Sequence, residues 1–149
     1  MKRIAAILIS LGWTTGFALV AAFALYAAED GASAAIATFG VPLDAQAVAT
    51  LPGRAVMGGL CFGACVVAAL FATAGLSVAL LDHEARSYSR FIVELAHGGA
   101  FGIAGLVVLS LALASDGWLL TAALAVLALL VASLVTLRSV LAEEEPAPA

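Results

Sequence analysis

Four long apolar stretches, nearly free of charge, alternate with short clusters of charged residues along the chain. They run from about Ile4 to Ala28, Val56 to Leu81, Phe91 to Ala114 and Trp118 to Leu137. Each is long enough to cross the membrane, because an α-helix rising 1.5 Å per residue needs roughly 20 residues to span about 30 Å of hydrocarbon. Backbone groups in hydrocarbon must satisfy one another, and a barrel strand would alternate polar and apolar positions, so these stretches predict helices. The expected fold is all-α: an integral membrane bundle of four transmembrane helices forming one domain over residues 1–142.

The segments between the spans are small. Residues 29–54 form the only sizeable one, punctuated by Gly40-Val41-Pro42 and Pro52-Gly53. Asp44 is placed to cap a short helix from Ala45 to Thr50, since its carboxylate can accept free amide hydrogens of the first turn. Such a helix would lie on the membrane surface with Leu43, Val48 and Leu51 toward lipid. Residues 143–149, three glutamates followed by a Pro-Ala sequence, read as a disordered tail. No internal repeat is visible.

Composition agrees with the pattern: 64% of the 149 residues are hydrophobic, above the roughly 45–50% apolar share of soluble domains. The net charge of −4 comes partly from Glu143, Glu144 and Glu145, and it argues against a nucleic-acid partner. Orientation follows from the basic residues, which are retained on the cytoplasmic side. With both termini inside, Lys2, Arg3, Arg86, Arg90 and Arg138 are cytoplasmic and Arg54 alone is outside. The expected location is a bacterial inner membrane, N-in and C-in. Lys2, Arg3, the apolar run and Ala27-Ala28 also have the arrangement of a secretory signal peptide. The run is about 25 residues, longer than the roughly 7 to 15 of a signal core, so a retained first helix is expected.

Chemistry-bearing residues are few. Arg90, Glu94 and His97 fall at spacings of four and three on one face of the third span. Ionisable groups inside a membrane point to proton relays, cofactor ligands or substrate contacts. The plainer reading is preferred: Arg90 pairs with Glu94 to anchor the helix, and neutral His97 hydrogen-bonds across the bundle. Haem with two axial histidines would need His97 and the loop residue His83 to face one another. A di-iron site needs two Glu-x-x-His pairs, and one is present. Asp82, His83, Glu84 and His97 have ligand types suited to zinc or manganese, but neighbours on one turn point apart. No cofactor is therefore expected. Cys61 and Cys65, four apart within the second span, read as packing residues.

Glycine supplies the stronger signal. Gly12 and Gly16, Gly59 and Gly63, and Gly98 and Gly102 form three pairs at a spacing of four, and Gly105 extends the third row. Lipid tails give helices no hydrophobic drive to associate, so close backbone approach through glycine supplies contact. These seven glycines are expected to pack the first three helices together. The fourth, with no glycine inside it, should face lipid or a partner, anchored at the interface by Trp118. Small multidrug exporters also have four helices, but their first carries a buried glutamate, whereas this first span offers Ser10, Trp13, Thr14, Thr15 and Tyr26. No catalytic serine–histidine–acid set or phosphate loop appears. The expected function is a non-catalytic membrane subunit, packed with other membrane subunits in a respiratory, photosynthetic or transport complex. The alternatives are a small oligomeric transporter or channel using Glu94 and His97, and a haem or quinone protein.

Overall fold

The computed structural model describes residues 2–31, 44–80, 86–114 and 117–143. These form α1 (Lys2–Tyr26), α2 (Ala45–Ala49), α3 (Leu51–Ala79), α4 (Arg86–Ala114) and α5 (Gly117–Glu143), with no strand among the described residues. A wider π-type turn, Ala27–Gly31, follows α1 and leaves helical geometry at Glu29. The four long helices are each apolar and long enough to cross a membrane, so the chain is a multi-pass membrane protein. Residues 32–43, the Asp82–Glu84 cluster and the tail beyond Glu143 lie outside the described residues.

Three of the four long helices exceed the apolar stretches that announce them. Hydrocarbon thickness sets the length of an apolar run, but a helix can continue into the polar interface with charged residues on it. Thus α3 begins at Leu51 rather than Val56, α4 at Arg86 rather than Phe91, and α5 runs past Leu137 to Glu143. The start of α3 has a clear local cause. Thr50 Oγ1 donates to Ala47 O at 2.6 Å, closing α2, and accepts from Gly53 N at 3.2 Å, opening α3. Pro52 sits in that first turn, where its missing N–H costs nothing. Gly53 is required at this corner, because a Cβ there would collide with Ala47 O and lie 2.7 Å from the Val48 backbone.

Asp44 caps α2 through Oδ1, which accepts from Gln46 N at 2.9 Å. One detail of the expected surface helix is corrected: Val48 points away from lipid and is buried with Ala27 and Met57. The π-type turn brings Ala27 beneath α2, which gives Val48 an apolar partner inside the protein. Leu51 is exposed.

The apolar clusters define the topology. At one end Ala6 of α1 and Ile92 and Val93 of α4 meet Ala74 and Val78 of α3 and Leu137, Val140 and Leu141 of α5. The starts of α1 and α4 therefore lie beside the ends of α3 and α5, an up-down-up-down bundle. That end carries Arg3, Arg90 and Arg138, and Arg54 is at the other. The middle is held by Phe17, Ala64, Val67, Phe71, Ala96, Ala100 and Leu130. α1 lies chiefly on α3, α3 on α4 and α4 on α5, whereas α1 and α5 touch little. The fourth span is the least buried of the four, in keeping with a largely outward-facing helix, but it is not detached from the bundle: α5 packs on α4 about as fully as α3 does, with Leu130 and Leu137 fully buried in the two main clusters.

The glycines need correction as well. A Cβ at Gly12, Gly16, Gly59, Gly98, Gly102 or Gly105 would meet nothing within 4 Å, and one at Gly63 would make ordinary contact with Ile103 at 3.7 Å. The tight approaches are elsewhere. A Cβ at Gly75 would lie 3.0 Å from Ser10 Cβ, joining α3 to α1, and one at Gly99 would lie 2.8 Å from Val67 Cγ2, joining α4 to α3. Alanines complete the interfaces, with Ala64, Ala96 and Ala100 fully buried. Gly99→Leu should therefore overpack a stiff β-branched neighbour and cost about 1–3 kcal/mol. Gly102→Leu should leave the isolated chain unchanged. Thermal midpoints by circular dichroism in detergent check both, and equal losses would place Gly102 inside the fold.

Candidate functional site

A polar cluster sits between α4 and α5, built on His97. The imidazole is 1% exposed. Its Nδ1 lies 2.8 Å from Val93 O, one turn earlier on α4. A carbonyl oxygen only accepts, so Nδ1 carries hydrogen and donates. Nε2 lies 2.8 Å from Ser133 Oγ on α5, and Ser133 Oγ lies 2.9 Å from Leu130 O. One histidine thus bridges two helices with both ring nitrogens engaged.

The walls of this site are aromatic. Phe71 of α3, fully buried, meets the imidazole nearly perpendicularly at 4.9 Å between ring centres. Phe71 stacks in turn on Phe17 and Trp13 of α1, each at 6.1 Å, and Phe101 lies 6.5 Å from His97 on its own helix. Such contacts hold the ring at a fixed tilt and exclude water from it.

Nearer the helix ends, Glu94 pairs with Arg138 of α5 at 3.0 Å, both side chains about half exposed. This replaces the expected pair with Arg90, which is exposed. The reason is helix length: α5 continues through Arg138 and brings a guanidinium across to Glu94, so the ion pair ties two helices rather than two turns of one. Glu94 and His97 share a helix but not an environment. Glu94 is at the rim, and His97 is enclosed.

Neither ring nitrogen of His97 is free to ligate iron or zinc. Among the described residues no three histidine, cysteine, aspartate or glutamate side chains are close enough to hold a metal ion; Asp82, His83 and Glu84 lie outside them. Cys61 is partly buried against the central cluster and Cys65 is exposed, both as free thiols.

Several other hydroxyls in the spans turn back onto their own helices. Thr14 donates to Ser10 O, Thr73 to Ala69 O, Ser110 to Leu106 O and Thr136 to Ala132 O, each at 2.8 Å. Ser133 is set apart by its imidazole partner. Reading the fourth span as uniformly apolar passes over this residue. The signal was present: Ser133 lies five residues before Arg138, and His97 seven after Arg90, so both sit at similar depth from the same end. Comparison with protein-family models, with characterised proteins and with solved structures finds no match.

The bond across the helices should be measurable. A double-mutant cycle of His97→Leu and Ser133→Ala should give a coupling of about 0.5–1.5 kcal/mol, the range for interhelical hydrogen bonds in membranes. The half-exposed Glu94–Arg138 pair should couple by less than about 1 kcal/mol and weaken with added salt. Additive losses for His97 and Ser133 would mean that the bond contributes nothing.

Proposed function

We propose that this chain is a non-catalytic integral membrane subunit that packs, through its own helix faces, against other subunits of a larger membrane complex. The observation that carries this reading is the outward face of α4. Leu95, Gly98, Gly102, Gly105, Leu106, Leu109 and Leu113 recur at helical spacing, and all are exposed. The glycines leave a shallow depression between leucines, and nothing among the described residues comes within 4 Å of where a Cβ at Gly98, Gly102 or Gly105 would sit. In lipid a groove of this kind supplies what a neighbouring helix needs, because contact there comes from close backbone approach. Gly12, Gly16 and Gly59 add exposed small positions on α1 and α3.

The polar site supports the same reading. A transporter or channel built on Glu94 and His97 needs both residues on one path. Here Glu94 is ion-paired at the rim and His97 is walled by Phe71 and hydrogen-bonded on both sides. A bridge that ties α4 to α5 suits a rigid packing element. The predominance of basic residues at one end of the bundle favours an inner-membrane orientation with both termini in the cytoplasm.

Two experiments test this. Extraction in mild detergent followed by native mass measurement should recover the chain with larger membrane subunits. Gly98→Leu combined with Gly102→Leu should release it from them without lowering its own thermal midpoint. A homo-oligomer alone, unaffected by both substitutions, would favour the transporter class instead. For orientation, Ser87→Cys in intact cells should react with a membrane-permeant thiol reagent and not with an impermeant one. Labelling by the impermeant reagent would reverse the topology.

A further inference from the structure

Hydrogen counting at His97 leads beyond a packing role. Val93 O, the His97 ring, Ser133 Oγ and Leu130 O form a chain with gaps of 2.8, 2.8 and 2.9 Å. Both ends are carbonyl oxygens, which can only accept, so three gaps call for three hydrogens. A neutral imidazole brings one and the serine hydroxyl brings one. With Nδ1–H committed to Val93 O, the hydroxyl hydrogen can serve Nε2 or Leu130 O, but not both. The neutral site is therefore short by one hydrogen.

We propose that the His97–Ser133 pair is a proton-binding site at the centre of the bundle. One proton from hydronium in the aqueous phase, which is left as water, forms an Nε2–H bond that donates to Ser133 Oγ. The hydroxyl turns to donate to Leu130 O, and every gap is then filled. The site gains one positive charge and no other bond changes.

The surroundings set what this charge meets. On its own helix the nearest charges are Glu94 and, one turn nearer the end, Arg90; α5 presents Arg138, which is ion-paired with Glu94 at 3.0 Å and still opposes a charge on the ring. From α3 no charged group occurs between Arg54 and Ala79, only the thiols of Cys61 and Cys65, and α1 has no ionisable group between Arg3 and Tyr26. Burial opposes the charge, and completion of the hydrogen-bond chain favours it. Access comes through the serine. Where α1 and α5 diverge, a groove of about 360 Å³ is lined by Gly12 and Trp13 on one side and by Ser133 and Thr136 on the other. Ser133 thus stands between the groove and the enclosed imidazole. The proposal does not depend on the subunit reading, since a packing subunit and a transporter would each carry it.

Nitrogen-15 NMR of the full chain in lipid bilayers, labelled at histidine and carrying His83→Gln, isolates the His97 ring. At high pH the ring should be neutral with its hydrogen on Nδ1. Acidification should convert it to imidazolium while helicity by circular dichroism is kept. Ser133→Ala should lower the midpoint by about one pH unit or more, a tenfold weaker proton affinity, and Ser133→Thr should restore it. A neutral ring down to the pH at which helicity is lost would overturn the proposal. So would a hydrogen on Nε2 at high pH, or a midpoint unmoved by Ser133→Ala. Should Ser133→Ala fail to insert, titration of the chain retaining Ser133 still decides between a ring that charges and one that stays neutral.

Discussion

In hydrocarbon a polar group has no water to fall back on, and the arrangement of this protein follows from that constraint. Backbone amides and carbonyls are satisfied within four long helices. Serine and threonine hydroxyls bond to carbonyls on their own helices, which lets polar side chains sit in the spans without any tertiary partner. An imidazole cannot do this alone, because its two nitrogens point in opposite directions. His97 places one nitrogen on Val93 of its own helix, and the other must be met from elsewhere. Ser133 meets it from α5. The rotation of α5 about its axis is thereby specified by a bond that apolar packing could not supply. One buried hydroxyl among the described residues, that of Ser10, has no partner. It faces Gly75 at a tight α1–α3 contact, so proximity there is obtained at some cost in unmet hydrogen bonding.

Around that bond the bundle is organised by size. Phe71 occupies the middle of the core, with Phe17 and Trp13 stacked against it and His97 set edgewise to it. Small residues at Ala64, Ala96 and Ala100 let the backbones close in where the aromatic rings are absent. The result is dense between neighbours in sequence and open between α1 and α5. A cavity of about 320 Å³ lined by Trp13, Phe17, Ile103 and Val126 among others lies in this loosely closed part of the bundle, and its walls are apolar. The opening matters chemically because it is the side from which Ser133 can be approached.

The outer surface has a different logic. The leucines and glycines along the exposed face of α4 are not polar enough to suggest a pore, and no described residue covers them. A subunit reading gives those glycines a purpose that a self-contained monomer does not. The buried histidine serves a separate purpose within the same scaffold, as the bridge that ties α4 to α5.

The sequence by itself determined the solvent, the helix number and the class of fold, because the span of hydrocarbon and the need for internal hydrogen bonds leave only one structure for four long apolar runs. It also determined the local cap at Asp44, which depends on residues two positions apart. Which residues face one another was decided only in three dimensions. A glycine at helical spacing reads the same whether it meets another helix or lipid, and here Gly75 and Gly99 face helices while Gly98 and Gly102 face outward. Glu94 sits equally near Arg90 along the helix, yet α5 extends far enough to offer Arg138 instead. Ser133, one serine in an apolar run, acquires its meaning from a histidine 36 positions away. In a membrane all four helices are apolar on every side, so hydrophobic periodicity, which marks the buried face of a helix in water, carries little information about rotation. Contacts between helices supply what the pattern along the chain leaves open.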